Sequence, residues 1–375
     1  MKIPFIDLTC QHEKIRDEIF SRWQELYDRT EFVYHRTCKD FEQQFASWNA
    51  ARFACAFDSG TSAVEIALRA AGIGQGDEVI TVANTFIATV AAIAFTGAQP
   101  VLTEIDDKTW NMDPERVEEK ITRKTRAIIP VHLYGQPADM ISLRQIARKH
   151  KLLIIADSAQ AVGSALYEQG RWNNPASYAD ITTYSFYPTK NLGACGEGGA
   201  AVTNDPKFAE FMSMFRDHGS REKYIHEFIG RNNRMDALQA AALLIKMKYL
   251  EKWNEQRRQV ASWYLQDLKM VEEIQLPFVP DFILPVYHLF VILVPEREAF
   301  QQYLARYGIG SALHYKLPVH LQQAFRHLNY RQGDLPITEA VVKRNISLPM
   351  FPELTRKKVK YITDTIKMFF TEKNN

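Results

Sequence analysis

Cysteine is scarce and scattered in this chain. Cys10, Cys38, Cys55 and Cys195 stand apart with no C-x-x-C pair among 375 residues, which argues against both a zinc knuckle and a disulfide framework. Free thiols in a cytoplasmic protein with no metal site are the expectation. Long apolar runs are also missing, since none approaches the roughly 20 residues that span a bilayer. The opening MKIPFIDLTCQHEK lacks the charged-then-apolar layout of a signal peptide, so no membrane partner is expected. An excess of one charge is absent too: 46 basic residues face 44 acidic ones, and no stretch of Lys and Arg is dense enough for a nucleic-acid arm. Internal repeats and low-complexity tracts are likewise missing.

What is present is alternation. After a helical N-terminal segment in which Phe41, Phe45 and Trp48 recur at helical spacing, short apolar runs alternate with amphipathic stretches. The runs are RFACAF (52–57), EVITV (78–82), PVLTEI (100–105), AIIPVH (127–132), LLIIAD (152–157), ITTYSF (181–186) and GAAVT (199–203). Continuous apolar strands suit a sheet covered by helices on both faces. The expectation is therefore an α/β fold with a mostly parallel seven-stranded sheet flanked by helices. Helices are placed at Thr61–Ala71 ahead of Gly72, behind Asp113 with Pro114 in the first turn, and from about Asp139. From Met235 to Leu268 a helix-period stretch reads as a spine. Beyond it a smaller α+β lobe is expected, with strands at 287–294 and 311–315, a helix after Glu296 and a last helix through Lys357 to Phe370. The division is a large lobe over 1–250 and a small one over 251–375.

Four signals carry chemistry. In DSGTSAVEIAL (58–68) a strand runs through Gly60 into a helix start, where free N–H groups and the hydroxyls of Thr61 and Ser62 can hold a phosphate; Ser and Thr there are also ordinary caps. Asp157 closes the apolar run LLIIAD at the carboxyl edge of a strand, with Gln160 just beyond. A shielded carboxylate there can keep a proton on a ring nitrogen, or serve as a helix cap or metal ligand. Lys190 sits between a strand and a glycine-rich segment, SFYPTKNLGACGEGG, where a desolvated amine can form a Schiff base with an aldehyde cofactor, and Ser185 precedes it. Phe86 in ANTFIAT can lie flat on a cofactor ring or belong to the core. Asn232, Asn233 and Arg234 open the long helical stretch. Together these make an inventory for pyridoxal 5'-phosphate.

At this point the motifs SGTSA, GDEVI with ANTFIAT, PVHLYGQPADM, DSAQAVG, SFYPTKNLGACGEGGA and NRMDALQAA resemble, along essentially the whole chain, the sugar aminotransferases of the DegT/DnrJ/EryC1/StrS group. The resemblance implies the aspartate aminotransferase type of fold, fold type I of the pyridoxal-phosphate transferases. It implies Lys190 as the Schiff-base residue, Asp157 on the pyridine nitrogen, Gln160 on the ring hydroxyl and Phe86 stacked on the ring. Gly60, Thr61, Ser62 and Ser185 would hold the phosphate, joined by Asn232 from a second subunit of a homodimer. Arg234, His314 and Tyr315 would face the sugar nucleotide. L-glutamate is the implied amino donor and a nucleotide-linked keto sugar the acceptor. HGSREKYIHEFIGRNNRMDALQAA leans toward C-3 of a dTDP-3-keto-6-deoxyhexose, with C-4 amination and UDP-linked 3-keto sugars as alternatives. A non-catalytic cofactor-binding protein would usually be fused to a DNA-binding segment, which is not visible. A nicotinamide oxidoreductase would need G-x-G-x-x-G after the first strand, which SGTSAV does not supply.

Overall fold

The computed structural model describes residues 1–374. All seven apolar runs form strands of one sheet: β1 (Phe53–Phe57), β2 (Glu78–Val82), β3 (Gln99–Thr103), β4 (Thr125–Ile128), β5 (Leu153–Asp157), β6 (Ile181–Ser185) and β7 (Gly199–Thr203). Their spatial order is β1-β7-β6-β5-β4-β2-β3. From β6 to β3 every pairing is parallel, and β7 alone runs antiparallel to both neighbours. Burial on both faces explains the unbroken apolar character of these strands. One face packs on Ile66, Leu68 and Ile93, while the other packs on Met140, Leu143 and Trp110.

Helices α1 (Thr9–Asp28) and α2 (Arg36–Trp48) precede the sheet. A buried ion pair joins α2 to β1: Arg216 pairs with Glu42 and donates to Ala56 O at 2.6 Å, and Glu42 accepts from Ala56 N at 2.7 Å. Helix α3 (Gly60–Ala70) begins one residue earlier than expected and is capped by Ser59, whose Oγ accepts from Ser62 N at 3.1 Å. Helix α4 (Ile87–Thr96) starts directly after Phe86. Asp113 and Asp139 cap their helices through Glu115 N and Ser142 N.

Two expectations in the second half need correction. The stretch from Met235 to Leu268 is two helices, α5 (Ala237–Met247) and α6 (Leu250–Leu268), separated at Lys248 and Tyr249. The break lets Ala240 and Leu243 of α5 face Phe41 and Phe45, while Val260, Tyr264 and Leu268 of α6 enter a different core with Phe290 and Ile362. One straight rod cannot aim both apolar faces at cores lying in different directions. The 311–315 segment is not a strand either: Ala312 alone bridges Ser347. Gly310 is pressed against Phe5 N, where a Cβ would stand at 2.6 Å, and after Ala312 the chain turns away.

The run 287–294 becomes strand β8 only from Phe290 to Leu293, paired antiparallel with β9 (Asn345–Leu348). The residues at its start are held elsewhere, since Leu289 N donates to Tyr134 O at 3.2 Å and Val286 N, just before the run, to Gly135 O at 2.8 Å. The last helix, α7, spans Arg356–Asn374. Ile3 packs with this second core, through Ile3 N to Gly308 O and Gly310 N to Ile3 O, both 2.8 Å. Among the described residues no helix is long and apolar enough to cross a membrane.

Candidate active site

The carboxyl ends of β1, β2, β5 and β6 open into one cavity of about 540 Å³, the edge where parallel sheets place their ligands. Gly60, Thr61, Phe86, Asp157, Gln160, Ser185, Lys190, His314 and Tyr315 all line it.

At one end stands the start of α3. The N–H groups of Gly60 and Thr61 lie ahead of the first backbone bond of the helix, Ala63 N to Ser59 O at 3.1 Å, so they face the cavity as donors at the positive end of the helix dipole. A glycine is required here because a Cβ on residue 60 would come within 2.7 Å of Ser185 Cβ. The close approach brings the Ser185 hydroxyl to the same place. Ser62 does not line the cavity: its hydroxyl sits 2.9 Å from Ser59 Oγ and 3.2 Å from Asn233 Nδ2. Ser59, which the sequence reading passed over, lines the wall instead.

Asp157 is buried at 6% exposure on the end of β5. Its Oδ2 accepts from Thr89 Oγ1 at 2.7 Å and its Oδ1 from Ala159 N at 3.1 Å. Burial pushes its carboxyl pKa up, against the Thr89 hydroxyl, the Ala159 N–H and the Lys190 charge, which favour the ionised form. Thr89, also missed from sequence, stands three residues beyond Phe86 in ANTFIAT, which puts it in the first turn of α4.

Lys190 follows β6 in a turn closed by its own N–H to Tyr187 O at 2.8 Å. Burial pulls its amine pKa down to about 8, with Asp157 opposing. About a tenth of the amine is then neutral at pH 7, far more than for a free lysine. That is the state in which lysine attacks a carbonyl.

The far wall comes from the C-terminal half. Phe86 leaves 54% of its surface exposed at the cavity rim, with Tyr315 tilted beside it at 5.9 Å between ring centroids. Gln160 joins the two halves: its Oε1 accepts from Tyr134 N at 2.7 Å and its Nε2 donates to Tyr315 Oη at 3.1 Å. The Tyr134 hydroxyl donates to His314 O and completes the loop. Tyr134 holds a positive φ of 60° to do so. His314 stacks on Phe5 and shares a 2.8 Å contact between its Nδ1 and Ser347 Oγ; burial and the nearby Lys190 pull its pKa down to about 4.

Like Ser62, the expected residues Asn232 and Arg234 are not gathered into this chain's cavity. Asn232 is exposed, and Arg234 is paired with Asp217. Asn233 Nδ2 donates to Asp58 Oδ2 at 3.0 Å, behind the start of α3.

The cavity thus offers anion donors at one end, a buried carboxylate, an uncovered aromatic face and an amine held partly neutral. This donor set fits a flat, phosphate-bearing aldehyde. Comparison with known proteins agrees. The sequence profile described as the DegT/DnrJ/EryC1/StrS aminotransferase family matches residues 13–367. The chain is 42% identical, over 98% of its length and 99% of the relative's, to the dTDP-3-amino-3,6-dideoxy-alpha-D-galactopyranose transaminase of Aneurinibacillus thermoaerophilus. It is 41% identical, over 99% of each chain, to the pleiotropic regulatory protein of Geobacillus stearothermophilus. Its fold matches, at a TM-score of 0.94, 39% identity and 98% coverage of each chain, the crystal structure of S. venezuelae DesV in complex with a ketimine intermediate. The chain belongs to the DegT/DnrJ/EryC1/StrS aminotransferase family. It is an aminotransferase with the α/β fold and mostly parallel sheet expected from its sequence.

Proposed function

We propose that this protein uses pyridoxal 5'-phosphate to move an amino group from L-glutamate to the C-3 keto group of a dTDP-linked 6-deoxyhexose. The observation that carries the reading is the placement of Lys190 and the buried Asp157 on one cavity whose end is the start of α3. Similarity to the 42% identical dTDP-sugar transaminase supports the choice of acceptor. When bound, the cofactor supplies an aldehyde and an electron-withdrawing ring.

The remaining roles belong to the chain. Gly60 and Thr61 N–H groups and the Ser185 hydroxyl bind the phosphate. Asp157, oriented by Thr89 and Ala159, holds a proton on the ring nitrogen. Phe86 would pack against the cofactor ring, and Gln160, held by Tyr134 and Tyr315, would contact its hydroxyl. Lys190 Nζ would hold the aldehyde of the cofactor and would also be the base that takes a proton from the donor α-carbon, a placed-base effect worth about 10²–10⁴-fold. His314 and Tyr315 face the sugar.

Asn232 and Arg234 act at the cavity of a second copy in a homodimer. Support for this comes from the exposure of Asn232 beside a hairpin whose Tyr224, Ile225 and Ile229 are 82%, 59% and 95% exposed, an apolar patch of the kind an interface covers.

An absorbance spectrum of the enzyme with pyridoxal phosphate, before and after L-glutamate, tests the reading. A visible band that converts to the pyridoxamine form, followed by recovery with a dTDP-linked 3-keto sugar, is the expected result. A band that glutamate leaves unchanged, or recovery only with a UDP-linked or 4-keto sugar, would overturn the donor or the acceptor assignment respectively.

A further inference from the structure

Several cavity groups have been given no role, His288 among them. His288, between Tyr287 and β8, lines the cavity and is 6% exposed. Its backbone is fixed by Arg257 Nη1, which donates to Tyr287 O and His288 O, each at 3.3 Å.

The tautomer of its ring can be worked out from a chain of hydrogen bonds that ends on main-chain carbonyls. Val162 O can only accept, so the Asn254 atom 3.0 Å away is the amide nitrogen, and Asn254 Oδ1 is the acceptor on its other side. Val286 O likewise fixes Asn191 Nδ2, 3.0 Å away, which also donates to Asn254 Oδ1 at 2.8 Å. Asn191 therefore turns its carbonyl oxygen toward His288 Nδ1, at 3.2 Å. A carbonyl oxygen requires a donor, so Nδ1 carries the hydrogen. Gly163 makes the relay possible, because a Cβ there would lie 2.3 Å from Asn254 Nδ2. Burial first, then Lys190, Arg257 and His314, hold the imidazole pKa well below its ordinary value, so the ring is neutral and Nε2 keeps its lone pair.

The other two histidines of the region differ. His132 accepts at Nδ1 from Ala138 N at 3.2 Å, the opposite tautomer, and its Nε2 is enclosed with no hydrogen-bond partner among the described residues. His314 meets a serine hydroxyl, which can donate or accept, so neither tautomer is imposed.

We propose that His288 is a specificity-determining acceptor, locked by Asn191 so that Nε2 receives a hydrogen bond from a hydroxyl of the sugar substrate. The inference rests on the sugar-acceptor reading above. His288 lines the cavity and its Nδ1 is taken by Asn191, which leaves the Nε2 lone pair for what enters; a lone pair rewards a hydroxyl donor and repels a carboxylate, so it separates the sugar half-reaction from the glutamate half-reaction.

Two measurements test it. In enzyme labelled with ¹⁵N-histidine, the signals missing from His288→Gln belong to His288. They are expected to show a protonated Nδ1 and a pyridine-type Nε2 from pH 6 to 9; a protonated Nε2 overturns the tautomer and the proposal with it. In kinetics, His288→Phe is expected to raise the KM for the keto sugar about tenfold, the scale of one lost hydrogen bond. The rate of the glutamate half-reaction should stay within twofold, and His288→Gln should recover most of the loss through its side-chain oxygen. An unchanged sugar KM, or equal damage to both halves, overturns the proposal. Wild-type enzyme that turns over glutamate but no keto sugar would instead remove the acceptor reading on which the proposal rests, while the ¹⁵N spectrum still decides the tautomer.

Discussion

The cavity has two unlike walls. The sheet-side wall consists of strand ends and helix starts: Ser59 to Thr61, Thr85 to Thr89, Asp157 to Gln160 and Ser185 to Lys190. Each group sits where a regular element stops, and its neighbours in sequence fix its position. The C-terminal wall, His288, His314 and Tyr315, comes from segments with little regular structure, held by hydrogen bonds from distant residues such as Tyr134, Asn191 and Ser347. In the proposed function the first wall carries the charge and covalent chemistry, and the second orients what enters. Substitutions should divide accordingly, with loss of rate on one side and loss of binding or selectivity on the other.

The largest effect is expected at Lys190. Lys190→Ala should lower turnover by at least about 10²–10⁴-fold and abolish the visible band, with an unaltered thermal midpoint; wild-type turnover by this variant would remove the central assignment. Asp157→Asn replaces a charge-assisted hydrogen bond worth about 2–3 kcal/mol, or roughly 30–150-fold, with a neutral one. Cofactor retention after gel filtration and turnover should both fall on that scale, and parity with wild type would place the carboxylate among structural groups.

A comparable range is expected from pH alone. The Lys190 amine, with a pKa of about 8, is protonated and unreactive below that value. Capture of pyridoxal phosphate by apoenzyme should therefore slow about tenfold per unit as pH falls below 8 and level off above it. A rate still climbing at pH 10 would mean that the amine is not desolvated. The smallest effect belongs to the second wall. Tyr134→Phe removes the bond to His314 O, worth about 1 kcal/mol, so a roughly fivefold rise in the sugar KM with unchanged kcat is expected. A change in kcat of the same size would erase the distinction between the walls.

The same contrast explains what could be read in advance. The seven sheet strands were legible because burial on both faces leaves an unbroken apolar run, and Asp157 and Lys190 because each closes or follows such a run. Ser59 was overlooked because a helix start is ambiguous by a residue: with Gly60 as first residue, Ser59 becomes the cap and Ser62 turns away from the cavity. The break at Lys248 was hidden since both halves keep helical periodicity and differ only in which core they face. His288 left no signal because its state depends on Asn191 and on Asn254, 63 residues further along. Its strand-like neighbourhood YHLFVILV pointed to a paired strand rather than a residue held out of one.

The most direct test of the account is to reduce the holoenzyme with borohydride and map the modified peptide by mass spectrometry. Cofactor fixed on Lys190, and lost from the protein when L-glutamate is added before reduction, is the predicted result. Cofactor fixed on another lysine, or none fixed while the visible band is present, would contradict it.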